Sequence, residues 1–252
     1  MNAMTTSLII CALLIGGALG GALLRRLLPE QQLDQHTKDI VRLGSGLLAT
    51  IVGLVLGLMI SSAKTNFDTQ RDEVRQLTAK FVMLDNLLDQ YGPEARPARA
   101  SLRSVIPALI ENMWGDDATK SNGAPFVATT FGEAAYRAIR ALSPATEAQR
   151  FFQGQAIQTA NAIAQVRLVL YEQAGGRMPP LFLTVLVAWL FVLFVSFSLF
   201  SPINPTALAA IVIIALSASA AIFLILEMYQ PFSGVMRIDS EPLRQALAPL
   251  AP

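Results

Sequence analysis

Residues 43–63, LGSGLLATIVGLVLGLMISSA, contain no charged side chain, and residues 64–91, KTNFDTQRDEVRQLTAKFVMLDNLLDQY, follow them without a glycine or a proline. A stretch of about 20 apolar residues can cross a bilayer as a helix. After a first interval of seven, the apolar residues of the second segment alternate at three and four, at Phe67, Val74, Leu77, Phe81, Leu84, Leu88 and Tyr91. This spacing is typical of a helix that packs against neighbouring helices. We therefore predict one continuous helix that leaves the membrane and ends at Gly92-Pro93.

Three further segments have the length and composition of membrane spans. They cover about residues 5–24, 179–200 and 206–226, and no charged side chain occurs in residues 1–24 or 178–226. The whole chain of 252 residues is only 15% charged, against roughly a quarter in ordinary soluble domains. Two prolines within residues 201–205 predict a tight turn. We therefore predict an all-α integral membrane protein with four transmembrane helices in two hairpins, residues 1–63 and 178–227.

The region between the hairpins, residues 64–177, carries 13 Lys or Arg and 12 Asp or Glu. This near-neutral balance disfavours a nucleic-acid partner. Helices are predicted over about residues 94–114, with a kink near Pro107, and over 126–142, separated by a polar loop at 115–125. Ser143-Pro144 predicts the start of another helix, which ends at Gly175-Gly176. We therefore predict a cytoplasmic helical bundle over residues 64–177 and a cytoplasmic tail over 228–252.

The distribution of positive charge predicts the orientation. Eight Lys or Arg residues lie near membrane ends on the side that holds the middle region and both termini. The first short loop, on the other side, holds four. This excess favours a cytoplasmic middle region in a multi-pass inner-membrane protein surrounded by lipid. The first span is interpreted as retained rather than as a cleaved signal peptide, because Arg25 and Arg26 follow its apolar stretch instead of preceding it. The single cysteine, Cys11, cannot form an internal disulfide.

The sequence contains no motif for catalysis, cofactor binding or metal binding. Phosphate-binding loops, nucleophile elbows and zincin motifs are absent. His36 is the only histidine and is interpreted as a solvated residue of a short loop with Asp34 and Asp39, because a metal site needs three or four ligands. We therefore expect no enzyme activity, no cofactor and no bound metal.

Small residues at helical spacing predict close contacts between membrane helices. Gly16 with Gly20, Gly17 with Gly21, and Gly53 with Gly57 each form a small-xxx-small pair. At the other end of the chain, Glu227 terminates an uncharged span, where a carboxylate is costly unless it reaches the interface or a partner. Two interpretations remain open for Glu227, a side chain extended to the headgroups and a structural clasp to the middle bundle.

Two segments resemble the bestrophin-like family of prokaryotic membrane proteins, which is distantly related to bestrophin anion channels. One is Pro231-Phe232-Ser233-Gly234 with the later Ser240-Glu241-Pro242-Leu243, and the other is Gly53-Leu54-Val55-Leu56-Gly57-Leu58 continuing through Asn66-Phe67-Asp68 to Arg71. The resemblance covers about residues 43–250 in organisation. It implies that Glu227, Pro231, Phe232 and Gly234 form a structural tail motif.

The same resemblance implies a homo-oligomer, a pentamer as in bestrophins, with the second span lining a pore for anions such as chloride. It places Thr50, Leu54 and Leu58 at a narrow neck, and their spacing of four puts them on one helix face. A lipid-facing or helix-facing role for the two leucines is the alternative. Only Asp239 and Glu241 follow the tail motif, so the calcium activation of bestrophins is not implied. The paired tryptophans that bestrophins carry after the second span are also missing.

Two functional hypotheses follow. The first is an oligomeric, anion-permeable channel whose second span lines the pore. The second is a non-conducting membrane scaffold or sensor that acts through its cytoplasmic helical bundle. Oligomeric state distinguishes them, because a symmetric ring with the second span innermost is required only by the channel.

Overall fold

The computed structural model describes residues 3–27, 35–114, 128–174, 178–200 and 204–247, and these residues form helices and turns without strands. The helices are α1 Ala3–Leu27, α2 Gln35–Tyr91, α3 Arg96–Trp114, α4 Ala128–Arg140, α5 Glu147–Ala174, α6 Pro180–Phe200, α7 Pro205–Met228 and α8 Glu241–Leu247, with a 3-10 turn at Pro93–Ala95. Four of them, α1, α2, α6 and α7, are long and apolar enough to cross a membrane. The all-helical class and the four apolar helices are therefore confirmed.

The described chain divides into two compact units, one formed by residues 1–66 and 177–229 and the other by residues 67–176 and 230–252. In the first unit, α1 packs against both α6 and α7. Its core includes Leu14, Val52, Leu186 and Ile222, each less than 6% exposed. The Ser219 hydroxyl donates a 2.6 Å hydrogen bond to the Ser7 carbonyl and so links α7 to α1.

Glycines decide how closely α1 approaches α6. A Cβ added at Gly21 would overlap the carbonyl oxygen of Val195, and one added at Gly17 would lie 2.7 Å from the Phe191 ring. A Cβ at Gly16 or Gly20 would meet nothing within 4 Å. Lipid provides no hydrophobic force between helices, so their association depends on close van der Waals packing. Small residues permit this packing because they let the helix backbones approach each other. The predicted close approach is therefore confirmed on one glycine face of α1.

The second unit is built around the predicted heptad stripe of α2. Its six residues from Val74 to Tyr91 are all less than 5% exposed, and Phe67 packs against the same core. Leucines in such a core typically contribute about 2–5 kcal/mol relative to alanine. The stripe ends at Gly92, whose φ of 121° is strained for any residue with a side chain. Pro107 lies within α3, as predicted.

Two helix starts differ from the sequence-based predictions. α2 begins at Gln35, so His36 lies exposed in its first turn rather than in a loop. α5 begins at Glu147 rather than at Pro144, because Thr146 and Gln149 cap each other. The Thr146 hydroxyl accepts from the Gln149 backbone N–H at 3.1 Å, and the Gln149 side-chain oxygen accepts from the Thr146 backbone N–H at 3.4 Å. This capping box satisfies two backbone donors, which Pro144 at the first position would not do.

Several predicted turns fall outside the described residues. These are the polar loop at 115–125, the Gly175-Gly176 helix end, and residues 201–203 of the turn between the last two spans.

Candidate functional site

One face of α2 is exposed along the whole uncharged stretch. Leu54 and Leu58 are 66% and 62% exposed, and Thr50 is exposed one turn earlier with its hydroxyl bonded to the Gly46 carbonyl at 3.0 Å. Leu43 and Leu47 continue the same face. The three sequence-predicted neck residues thus share one face that no described residue of the chain covers.

The opposite face of α2 packs into the core of the first unit. Val52 is buried there, and Leu48, Val55 and Met59 are partly buried against the same cluster. In the most hydrophobic 18-residue segment of α2 only 11% of the residues are buried, against 22–33% in the other three spans. Of the four apolar helices, α2 therefore has the largest unpartnered share within the chain.

Small side chains run beside the leucines on the exposed face. A Cβ added at Gly46, Gly53 or Gly57 would meet nothing within 4 Å. The Gly53–Gly57 pair therefore makes no close helix contact within the described part of the chain, unlike Gly17 and Gly21. Since small residues let helix backbones approach closely, this face has the composition of a helix–helix interface.

Three residues of the predicted tail motif, Pro231, Phe232 and Gly234, belong to the second unit. Phe232 packs edge-on against Trp114, with ring centroids 5.4 Å apart. Gly234 has a φ of 83°, in the left-handed region that favours glycine, and so allows the chain to turn back. The Ile238 backbone N–H then donates to the Pro231 carbonyl at 2.7 Å, and the Trp114 indole N–H donates to the Ile238 carbonyl at 2.7 Å. The motif thus anchors the tail to α3.

Glu227 lies in the last turn of α7 and is 4% exposed. Such burial disfavours the interpretation of a side chain extended to the headgroups. The clasp interpretation remains a prediction.

Sequence reasoning missed an ion cluster around a buried carboxylate between α2 and α3. Asp85 is 1% exposed and accepts two hydrogen bonds from Arg99, at 3.0 and 2.6 Å. Arg99 also pairs with Asp89, and Arg103 lies 4.0 Å from Asp85. The hydrogen bond to Asp85 is the main reason that the pKa of Arg99 lies above its usual value. A carboxylate beside the buried heptad stripe, followed 14 residues later by an arginine, was the only available signal.

Among the residues that the structure describes, no group of three or more His, Cys, Asp or Glu side chains could hold a metal ion.

Arg167, on α5, is 8% exposed, and its burial lowers the pKa of the guanidinium.

Comparison with known proteins gives a consistent family assignment. Residues 11–243 match the Bestrophin-like domain family. Two crystal structures of single-residue variants of a bacterial bestrophin homologue from Klebsiella pneumoniae match with TM-scores of 0.69, at 14% and 16% identity. They cover 98% and 96% of this chain and 97% of each of those chains. A crystal structure of a membrane protein variant matches with a TM-score of 0.64 at 15% identity, over 96% of this chain and 97% of that one. No functionally curated protein matches the chain.

The structural matches share the fold of this chain at low sequence identity, and the domain match extends from α1 into α8. Both agree with the resemblance carried by the tail motif and the second span. The chain is therefore a member of the bestrophin-like family of membrane proteins.

Proposed function

We propose that the protein is a pentameric, anion-permeable channel in the inner membrane, with the exposed face of α2 lining a central pore. The observation that carries this proposal is the uncovered, charge-free face of α2 that holds Thr50, Leu54 and Leu58. A helix that faced only lipid would gain nothing from three glycines beside these residues. A ring of copies would use the glycines for contact between neighbouring α2 helices and turn the leucines inward.

The chemistry of this face suits anions that lose water easily. Rings of Leu54 and Leu58 would form a hydrophobic constriction that gates by dewetting, and weakly hydrated anions would cross it at lower cost than strongly hydrated ones. Arg42 and Lys64 flank the uncharged stretch. Positive charge at both ends would raise the local concentration of anions such as chloride.

Planar-bilayer recording of the purified protein tests the proposal. Leu54→Ala and Leu58→Ala should each raise conductance, because a smaller side chain widens the ring and weakens dewetting. Leu216→Ala is the matched control, since Leu216 is 54% exposed on α7 and would face lipid. A conductance that neither neck variant changes relative to this control would contradict the proposal.

Native mass measurement of the detergent-solubilised protein provides an independent test. Five copies support the ring. A monomer or dimer would remove the basis for a central pore and would favour the scaffold or sensor.

A further inference from the structure

An apolar groove of about 280 Å³ lies within the first unit, between α1, α6 and α7. It is situated where α1 ends and α7 begins. Its lining includes Ala18, Leu19 and Ala22 of α1 and Leu208 and Ile211 of α7, with Arg26 as the single charged member.

The groove exists because α1 contacts its two neighbours unequally. Gly17 and Gly21 bring α1 tightly against α6. Toward α7, three of the lining residues are alanines, Ala18, Ala22 and Ala207, whose short side chains occupy little space. Leu19 and Leu208 are 57% and 43% exposed, so the groove opens at the helix surface. An empty apolar groove forfeits van der Waals contacts, which an apolar chain from the surroundings would restore.

The size and the charge of the groove both restrict its occupant. Its volume lies just below the roughly 300–1,000 Å³ of pockets that enclose drug-sized ligands, and its apolar lining suits a hydrocarbon chain. Arg26 is exposed in the last turn of α1, at the end of this apolar lining. A guanidinium pairs with phosphate through two parallel hydrogen bonds, so Arg26 is suited to bind the phosphate of a lipid headgroup.

We propose that this groove is a specific phospholipid site, in which one acyl chain lies between α1 and α7 and Arg26 binds the phosphate of an anionic headgroup. The lipid belongs to the leaflet in which α1 ends. The site is independent of the proposed pore, since none of its residues lies on α2.

Native mass spectrometry of the purified protein, titrated with phosphatidylglycerol or with phosphatidylethanolamine in detergent, tests the site. The unaltered protein should retain phosphatidylglycerol preferentially. Arg26→Gln should weaken phosphatidylglycerol binding by roughly fivefold, the effect of one basic residue at a membrane surface, and remove the preference. Arg42→Gln is the matched control, since Arg42 is exposed and lies outside the groove.

A second variant tests the acyl chain separately from the headgroup. Ala22→Phe places a ring in the groove and should abolish retention of both lipids. Equal phosphatidylglycerol binding by the Arg26 and Arg42 variants would overturn the proposal. Undiminished lipid retention by the Ala22 variant would overturn it as well, because the chain would then lie elsewhere.

Discussion

Gly21→Ala is expected to destabilise the protein, whereas Gly20→Ala, one residue earlier on the same helix, is expected to stabilise it. The added Cβ at Gly21 would overlap the Val195 carbonyl oxygen and lie 3.1 Å from the Val195 Cα. These are backbone atoms of α6, so no side-chain rotation relieves the overlap and the two helices must move apart. At Gly20 the added Cβ meets nothing within 4 Å.

The difference between the two variants isolates the packing cost. Both gain the same helix propensity, about 1 kcal/mol for Gly→Ala within a helix, so this gain cancels in the comparison. Overpacking a tight contact typically costs about 1–3 kcal/mol. Each kcal/mol shifts Tm by roughly 2–4 °C in chains of this size. We therefore expect Gly21→Ala to melt roughly 2–12 °C below Gly20→Ala.

Thermal unfolding of the detergent-solubilised variants, followed by circular dichroism, is the assay. The melting temperature of Gly17→Ala should lie between those of Gly20→Ala and Gly21→Ala, because its added Cβ meets only the Phe191 ring, which can rotate. Equal melting temperatures for the Gly20 and Gly21 variants would refute the assignment of the α1–α6 contact.

Three further predictions concern the second unit. Asp85→Ala should lower the free energy of unfolding by about 3 kcal/mol, the lower end for breaking a buried ion pair, because Arg99 remains partly solvated. Trp114→Phe should cost about 1 kcal/mol and expose the tail to limited proteolysis, since it removes the hydrogen bond to the Ile238 carbonyl. Tyr91→Phe should leave stability unchanged or raise it at neutral pH, because the buried Tyr91 hydroxyl has no hydrogen-bond partner among the described residues.

Tyr91 also makes a pH prediction. Burial, assisted by the charge of Glu94, raises the pKa of Tyr91 above its ordinary value of about 10. Above that pH the unfolded chain loses the phenol proton first, so stability should fall as pH rises through the folded pKa. Tyr91→Phe should reduce this alkaline loss in chemical unfolding experiments. An identical pH profile for both proteins would contradict the prediction.

A matched variant serves as the control for Asp85→Ala. Asp72→Ala breaks the exposed pair with Arg75, whose side chains are 61–63% exposed, and should have little effect. If Asp72→Ala lowered the free energy of unfolding as much as Asp85→Ala does, burial would not explain the effect of Asp85→Ala. For Trp114→Phe, unchanged protease resistance of the tail would show that the indole hydrogen bond does not hold it.

Helix positions were readable from the sequence because they depend on local patterns. α1 and α7 extend the predicted spans by a few residues, α6 begins one residue later than predicted, and α2 continues through the predicted heptad stripe. The later start of α5 depended on capping. Pro144 is a good first residue of a helix, but the Thr146 and Gln149 pair satisfies more backbone donors.

Contacts between distant segments were not readable in the same way. Nothing in the sequence distinguishes Gly17 and Gly21 from Gly16 and Gly20, since the two pairs have the same spacing. Trp114 gave no sign that it binds a carbonyl 124 residues later. Thr50, Leu54 and Leu58 share one face because a helix repeats every 3.6 residues, and their position in a pore neck stays a prediction. That this face is exposed depends on where the other helices pack.

The sequence by itself determined an all-helical membrane protein with four apolar spans and a heptad-patterned extension of the second. Hydrophobicity and periodicity act over windows of about 20 residues, so the local order of residues specifies them. Only the tertiary structure decided which glycines meet another backbone, how the tail binds α3, that a groove opens beside Arg26, and that one face of α2 stays uncovered. These features arise where elements far apart in sequence meet. Their contribution to stability depends on how the surfaces of those elements fit together, which the sequence of one segment does not specify.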